Sequence, residues 1–596
     1  MSDPILFDKT LDQLGFKGMP SRIVSTKQKM TQVTQIPLAI KKTTEVPATR
    51  TNPSLGWWTG DNAALFENDS AIHDAIFNLN KPVYVLQNQG QQHVVTDQGI
   101  AVIGGEPEAD GLPLIGFSPA ISPRQLGDTS FCEDHGLRFP YMCGSMANGI
   151  ASIDLVEAAA DAGLLASFGA AGLMLSEIEN AAAHLTKSLS SKPFCFNLIF
   201  SPNEKGHEDA VVSLYLKYGI RLIETSAYMK LTLPAVRYRV HGIHRNQTGD
   251  IEAPNRIIAK ASRVEVATKW FSPPPEKMLA QLVASGDITE KQAALAARIP
   301  MAQDLTVEAD SGGHTDNQPA ITLLPTIIAL RDRLQKEFNY TTPLRVGAAG
   351  GIATPASAAA AFSMGAAYVL TGTVNQACME SGSSDIVRKM LAEAEQADIA
   401  MAPAVDMFEM GVKLQVLKRG TMFAMRGNKL YELYRAYDSI DAIPEKERQS
   451  LEKTIFKASL AEIWNLTQKF FNERDPQQIA KANQDPKYKM ALIFRWYLGL
   501  SSRWANTGDK ARQVDYQVWC GPSMGAFNEW TRGSWLAEPA KRNVVTVALN
   551  ILYGAAVATR INSLRNQGVK FSDQVTHFEP LEVQEIESRV IEEWRT

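Results

Sequence analysis

From about residue 137 to 400 the apolar positions follow one repeated rhythm: a short apolar run, a turn, then an Ala/Leu-rich helical stretch. The runs are FPYMC (139–143), GLLASF (163–168), FCFNLIF (194–200), IRLIETS (220–226), RIIAKA (256–261), DLTVEA (304–309), LRVGAA (344–349) and AYVLTG (367–372). Stretches such as SIDLVEAAADA and HEDAVVSLYLKYG lie between them. Eight strand–helix alternations over roughly 260 residues predict a (β/α)8 TIM barrel, with a doubly wound sheet as the competing α/β architecture. Before the barrel, short alternating runs such as PVYVLQN and HVVTDQGIAVIGG predict a small β-containing N-terminal domain. Beyond about 400 the pattern reads as nearly all helical, from VDMFEMGVKLQVLK to NVVTVALNILYGAAVATRINSL. The expected division is therefore 1–125, 126–410 and 411–596.

One connection is out of proportion. SPPPEKMLAQLVASGDITEKQAALAARIP, between strands five and six, predicts a helical insertion near 263–300. As a βα-loop it would overhang the strand C-termini, where barrel active sites form, and could act as a lid or acyl-chain gate, or be a purely structural excursion.

Composition excludes several classes. A chain of 596 residues exceeds a single ordinary core. With 60 basic against 64 acidic residues there is no electrostatic footprint for nucleic acid. Cys132, Cys143, Cys195, Cys378 and Cys520 are scattered without a CxxC pair, which argues against a disulfide framework or structural zinc and suits a reducing cytosol. A polar start and two interrupted apolar stretches (347–374 and 543–559) predict neither a signal peptide nor a membrane span. The expectation is a cytoplasmic protein with no metal site.

The candidate chemistry lies at strand ends. In VGAAGGIATPASAAAAFSMGAAYVLTGT, Gly350 and Gly351 end one strand and Gly372-Thr373 the next. Glycine lets backbone amides approach a ligand closely, and Thr354-Pro355 opens a helix whose N-terminus suits an anion. Paired glycine loops after strands seven and eight form the common barrel phosphate site. VEADSGGHTDN follows strand six: Gly312 and Gly313 again permit close approach, and His314 can exchange a proton near neutral pH. Asp310 could orient this loop or His314, or act as a cap. PYMCGSMANG, after strand one, offers Gly144, Ser145 and Met146 as a backbone edge for a flat ring. Asn197 and Lys260 are polar residues at the ends of apolar strands, costly unless satisfied. Cys143 reads as inert packing.

MCGSMANG, SGGH, GGIATP and TGT together resemble the FMN barrels of the nitronate monooxygenase and FMN-type enoyl-[acyl-carrier-protein] reductase superfamily. LKRGTMFAMRGNKLYELYRAY, the segment 494–530 and GWWTGDN extend the likeness over nearly the whole chain. They resemble the PfaD family, trans-acting enoyl reductases of bacterial polyunsaturated fatty acid synthases and related polyketide synthases. The resemblance implies FMN as cofactor and NADPH as hydride donor. It implies reduction of a carrier-bound 2-enoyl thioester, with Gly350, Gly351, Gly372 and Thr373 at the FMN phosphate. Met142 to Met146, Asn197 and Lys260 would line the ring and ribityl chain, and His314 would be catalytic. Relatives often carry glutamate where Asp310 stands, which puts a direct role for that carboxylate in doubt.

Two other functions fit the same barrel: nitronate oxidation with O2, and a non-catalytic synthase scaffold. The expected partners are acyl carrier protein domains of a fatty acid or polyketide synthase and, for the chain itself, a second copy in a homodimer. Lys413, Lys418, Arg419, Arg426 and Lys429 form a basic run that could meet an acidic carrier or the NADPH phosphate, or simply be a solvated helical face.

Overall fold

Eight strands close into a parallel barrel in the computed structural model, which describes residues 54–88, 93–104, 111–202, 204 and 206–590. Of the expected N-terminal domain, residues 1–53 therefore lie outside the described residues. Strands β1 (Gly56–Thr59), β2 (Val83–Gln87), β3 (His93–Thr96), β4 (Ile100–Ile103) and β5 (Leu112–Ser118) form an antiparallel sheet ahead of the barrel, in the order β3-β2-β5-β1-β4. The barrel strands are β6 (Tyr141–Cys143), β7 (Leu165–Phe168), β8 (Cys195–Ile199), β9 (Leu222–Ser226), β12 (Arg256–Ala261), β13 (Asp304–Glu308), β15 (Arg345–Ala349) and β16 (Val369–Thr371). Each coincides with one of the eight apolar runs, and β16 pairs with β6 to close the ring. A short hairpin, β10 (His244–Arg245) and β11 (Ile251–Glu252), lies ahead of β12.

Barrel strands covered by helices are buried on both faces. Their lumenal side chains, including Met142, Leu165, Cys195, Ile258 and Leu370, pack into one cluster. Their outward side chains join a larger core that also takes in the N-terminal sheet and the last long helix. All five cysteines are free and buried.

That last helix, Val544–Asn566, is the one helix among the described residues long and apolar enough to cross a membrane, yet 78% of its apolar window lies inside the protein. It carries polar groups that only a protein interior could satisfy. Arg560 donates to the carbonyls of Ile76, Asn78, Lys81 and Pro119 at 2.8–2.9 Å. Burial pulls the Arg560 guanidinium down to about 10, so it keeps its charge at neutral pH. Asn550 exchanges two bonds with the Leu581 backbone, and Gln567 does the same with Phe117 of β5. The helix thus fastens the N-terminal sheet to the barrel.

Two expectations are corrected. The helix Val264–Phe271 follows β12 and packs on β12 and β13, so it is the ordinary outer helix of that unit. The inserted pair, Glu276–Ala284 and Glu290–Ala296, comes after it, in the return toward the start of β13, where Met301 and Ala302 bond back to Ser272 and Trp270. In a barrel, helix-to-strand returns lie at the end opposite the catalytic face. The pair is neither lid nor gate. An overhang is supplied instead by the later helices: Arg474 grips Glu204 at 2.9 Å, beyond β8, and Ser502 meets Asn148, beyond β6.

The second correction concerns VDMFEMGVKLQVLK, read as helix. It forms a 3-10 turn, Phe408–Met410, a left-handed Gly411 with φ 72°, and strand β18 (Lys413–Leu417). The two-residue alternation of Val412, Leu414 and Val416 with Lys413 and Gln415 prevails over the helical spacing. β18 pairs with β17 (Ile399–Pro403) on one side and with β14 (Gly313–His314) on the other.

At the opposite end of the barrel, Asp304 opens β13 and Arg345 opens β15. Asp304 accepts from Arg345 Nε at 2.6 Å and meets His135 Nε2 at 2.8 Å, all three buried. Burial works against the Asp304 carboxylate, but His135 and Arg345 outweigh it and hold its pKa at about 2. The ordinary aspartate value is near 3.9, so this group adds about 2–3 kcal/mol of stability above pH ~4, lost as pH falls from about 4 toward 2. Asp304→Asn should take from buried Arg345 one of its two carboxylate partners, Asp304 and Asp134, and cost about 3–5 kcal/mol. In chemical denaturation at pH 7 and pH 3, the gap between parent and variant should shrink at the lower pH; an equal gap at both would refute the assignment.

Candidate active site at the C-terminal rim of the barrel

The rim is assembled from the ends of six strands. Near its centre, Lys260 of β12 reaches Glu308 of β13 at 3.2 Å and Glu224 of β9 at 3.6 Å. Glu224 is fully buried, and its other oxygen accepts the Ser145 amide at 2.9 Å. Burial opposes the Lys260 ammonium, but Glu308 and Glu224 overcome it and raise its pKa, so the side chain stays cationic. A buried cation between two carboxylates is stable only because each charge is met by its partner.

His314 stands beside this triad. The SGGH loop gains its shape from outside the barrel: Gly313 pairs with Gln415 and His314 with Leu414 in the β14–β18 ladder. Asp406, in the connection from β17 to β18, meets His314 Nε2 at 3.0 Å. Partial burial works against a charged His314 ring, but Asp406, with Glu308 adding and Lys260 subtracting, raises its pKa. His314 in turn lowers the pKa of Asp406 against the effect of burial. Asp310 does not touch His314; its Oδ1 accepts from Asn317 at 2.8 Å and Gln415 at 3.1 Å, so it shapes the loop and ties it to β18.

The glycine loops meet on the same rim. Gly350 has φ 80°, and a Cβ there would lie 2.6 Å from the Ala309 carbonyl carbon; only glycine lets the loops after β13 and β15 touch. Gly351 has φ 78°, and a Cβ on it or on Gly372 would enter open space. The helix Pro355–Ser363 is already capped: Ser357 Oγ accepts from the Ala353 and Thr354 amides, both at 3.0 Å. Side chains thus take up the Ala353, Thr354 and Ser357 amides at that helix's start, while the Gly350–Gly351 and Gly372–Thr373 turns stay open. Backbone turns opening onto free space, with a fixed cation nearby, suit a phosphate-bearing flat cofactor.

The other sequence candidates sit lower. Met142 is wholly buried in the lumenal cluster, and Met146 is 9% exposed. Gly144 donates to Thr371 across the closing seam, where a Cβ would strike Leu370. Asn197 spends its amide hydrogens on the Glu224 carbonyl at 3.1 Å and Ser226 at 3.0 Å, clamping β8 to β9. Burial raises the Cys143 thiol well above its ordinary range, leaving it inert. The basic run disperses: Arg419 pairs with Glu395 and Asp398, Arg426 with buried Asp515 and Lys429 with Glu447. It is not a continuous positive surface.

Sequence reasoning missed Glu224, Glu308 and Asp406. The two glutamates carried the signal that marked Lys260, a charge inside an apolar run. Asp406 had no local signal, because its partner lies ninety-odd residues away, at His314.

Comparison with known proteins identifies the family. Residues 131–430 match the family model described as nitronate monooxygenase, and the chain belongs to that family, a class of barrel oxidoreductases. Residues 437–516 also match the inserted helical domain of [acyl-carrier-protein] S-malonyltransferase. Among relatives, a polyunsaturated fatty acid synthase component from Thraustochytrium is 51% identical over 74% of this chain and 30% of its own length. Polyketide biosynthesis protein PksE of Bacillus subtilis is 43% identical over 73% of this chain and 57% of its own. This chain thus spans about a third to under three-fifths of these two curated relatives. The crystal structure of the enoyl reductase domain of MlnA, from the macrolactin cluster of Bacillus amyloliquefaciens, is 38% identical, with TM-score 0.69, over 74% of this chain and 99% of that one.

Asp406→Asn removes the charge that raises His314. Titration of the histidine by NMR should then show its pKa falling toward the ordinary value of about 6.5. An unchanged titration would mean that Asp406 is not its electrostatic partner.

Proposed function

We propose that the chain is an FMN-dependent, NADPH-using enoyl reductase acting in trans on 2-enoyl thioesters carried by acyl carrier protein domains of a polyunsaturated fatty acid or polyketide synthase. The observation that carries this reading is the placement of His314, held by Asp406, on the same rim as two glycine turns that open onto free space. The relatives support the substrate class: one is a polyunsaturated fatty acid synthase subunit, another a polyketide biosynthesis protein, and the MlnA domain is described as an enoyl reductase. The helical match to a malonyltransferase insertion fits a carrier-bound substrate.

Gly350, Gly351, Gly372 and Thr373 would hold the FMN phosphate. Gly312, Gly313, Ser145, Met146 and Lys260 would border the ring, over a floor containing Met142, Gly144 and Asn197. When bound, FMN carries hydride from NADPH to the β-carbon of the enoyl thioester. His314 then acts at the other end of the double bond. Its protonated ring donates to the thioester carbonyl, stabilising the charge that develops there, or delivers the proton to the α-carbon. The raised pKa keeps that proton available above the pH at which a free histidine would lose it. Lys260 supplies a fixed positive charge near the ring edge, and the Glu224 and Glu308 carboxylates hold it in place.

The purified protein should be yellow with a flavin spectrum and should consume NADPH without O2 when given a crotonyl thioester. Turnover of nitronates in air with no response to any enoyl thioester would favour the monooxygenase reading instead. His314→Gln should lower kcat about 10²- to 10⁴-fold at unchanged flavin content. In the parent, kcat should decline above the raised His314 pKa, and in Asp406→Asn that limb should move to lower pH. A pH profile identical in parent and variant would remove His314 as the proton donor.

A further inference from the structure

The rim has a contributor that follows the helical stretch and lies outside the family-matched barrel. After the helical stretch 437–516, the chain returns as Val518-Trp519-Cys520-Gly521 and lies along β18. The Leu417 amide donates to the Val518 carbonyl at 2.9 Å, Val416 bridges Trp519, and the Cys520 amide donates to Gln415 at 3.3 Å. Its last residue meets two loops of the candidate site at once. Gly521 and Gly312 touch backbone to backbone. A Cβ on Gly521 would lie 2.8 Å from the Gly312 nitrogen, and a Cβ on Gly312 would lie 2.8 Å from the Gly521 nitrogen. The Gly521 amide also donates to Thr373 Oγ1 at 3.3 Å.

That last bond has a chemical consequence. A threonine hydroxyl both donates and accepts. Once a lone pair of Thr373 Oγ1 is occupied by an amide, the hydroxyl hydrogen is directed away from that amide and is left to donate elsewhere. Thr373 begins the short helix after β16, in the turn whose other residue, Gly372, faces open space. We infer that Gly521 is a positioning residue for the cofactor phosphate: it sets the Thr373 hydroxyl as a donor to that dianion and, through Gly312, keeps the SGGH loop in register with it. This inference rests on the reading of the rim as an FMN site, and it assigns a role in that site to a segment beyond the matched barrel.

The mechanism predicts selectivity between two flavins that share a ring but differ in phosphate. The probes are FMN and riboflavin, titrated by fluorescence quenching into the full-length protein after flavin removal. In Gly521→Ala the added methyl must push Gly312 and the segment apart and weaken the bond to Thr373. FMN affinity should fall about tenfold more than riboflavin affinity, the scale of one hydrogen bond to a charged group. Thr373→Val should reproduce the loss and Thr373→Ser should restore it, with thermal unfolding reporting that each variant is folded. Equal weakening for both flavins, or no change in either, would overturn the inference. Should the parent bind neither flavin, the failure belongs to the proposed function and not to Gly521.

Discussion

His314, the group at the rim placed to exchange a proton, depends on a strand pairing that the barrel itself does not provide. A (β/α)8 barrel delivers the loops after its strands to one face, but loops alone are mobile and do not hold a side chain within tenths of an ångström. Here the Gly313–His314 stretch is taken into a second sheet by Lys413–Leu417. The same sheet carries Gln415 to Asp310 and lies next to the connection bearing Asp406. The return segment ending at Gly521 then continues along the edge of Lys413–Leu417 that pairs with Gly313–His314. His314 is thereby placed by backbone hydrogen bonds rather than by its own loop.

The buried charges divide by end of the barrel. At the strand N-termini, Arg345, Asp304 and His135 compensate one another where no ligand has reason to enter. At the C-termini, two carboxylates share one lysine, with a histidine beside them that can take up or release a proton. The first arrangement is a fixed structural network. The second leaves one of its members, His314, partly exposed and held at a raised pKa by its neighbours, the condition expected of a working site.

The barrel was legible because buried parallel strands read as unbroken apolar runs between turns, and each run fell on a barrel strand. The glycine pairs were legible because open turns at strand ends have few sequence solutions. Less legible was anything decided by distant partners. Val412 to Leu417 satisfies both a helical and an alternating pattern, and the availability of β17 and β14 as neighbours settles it as a strand. The helical pair near 276–296 was assigned to the wrong end of the barrel because the true outer helix, Val264–Phe271, was counted with the insertion. Arg419, Arg426 and Lys429 looked like a free positive patch because their carboxylate partners, as far off as Asp515, leave no local trace.

The bond from Leu417 to Val518 has a consequence for how such chains vary. It brackets the whole helical stretch between two neighbouring positions of one sheet. Closing a longer or shorter excursion between fixed ends changes the entropy only logarithmically with its length. The excursion can therefore grow, shrink or be exchanged while the sheet that grips His314 stays as it is. Its helices touch the rim loops at Glu204 and Asn148, so such variation would reshape the entrance without disturbing the chemistry.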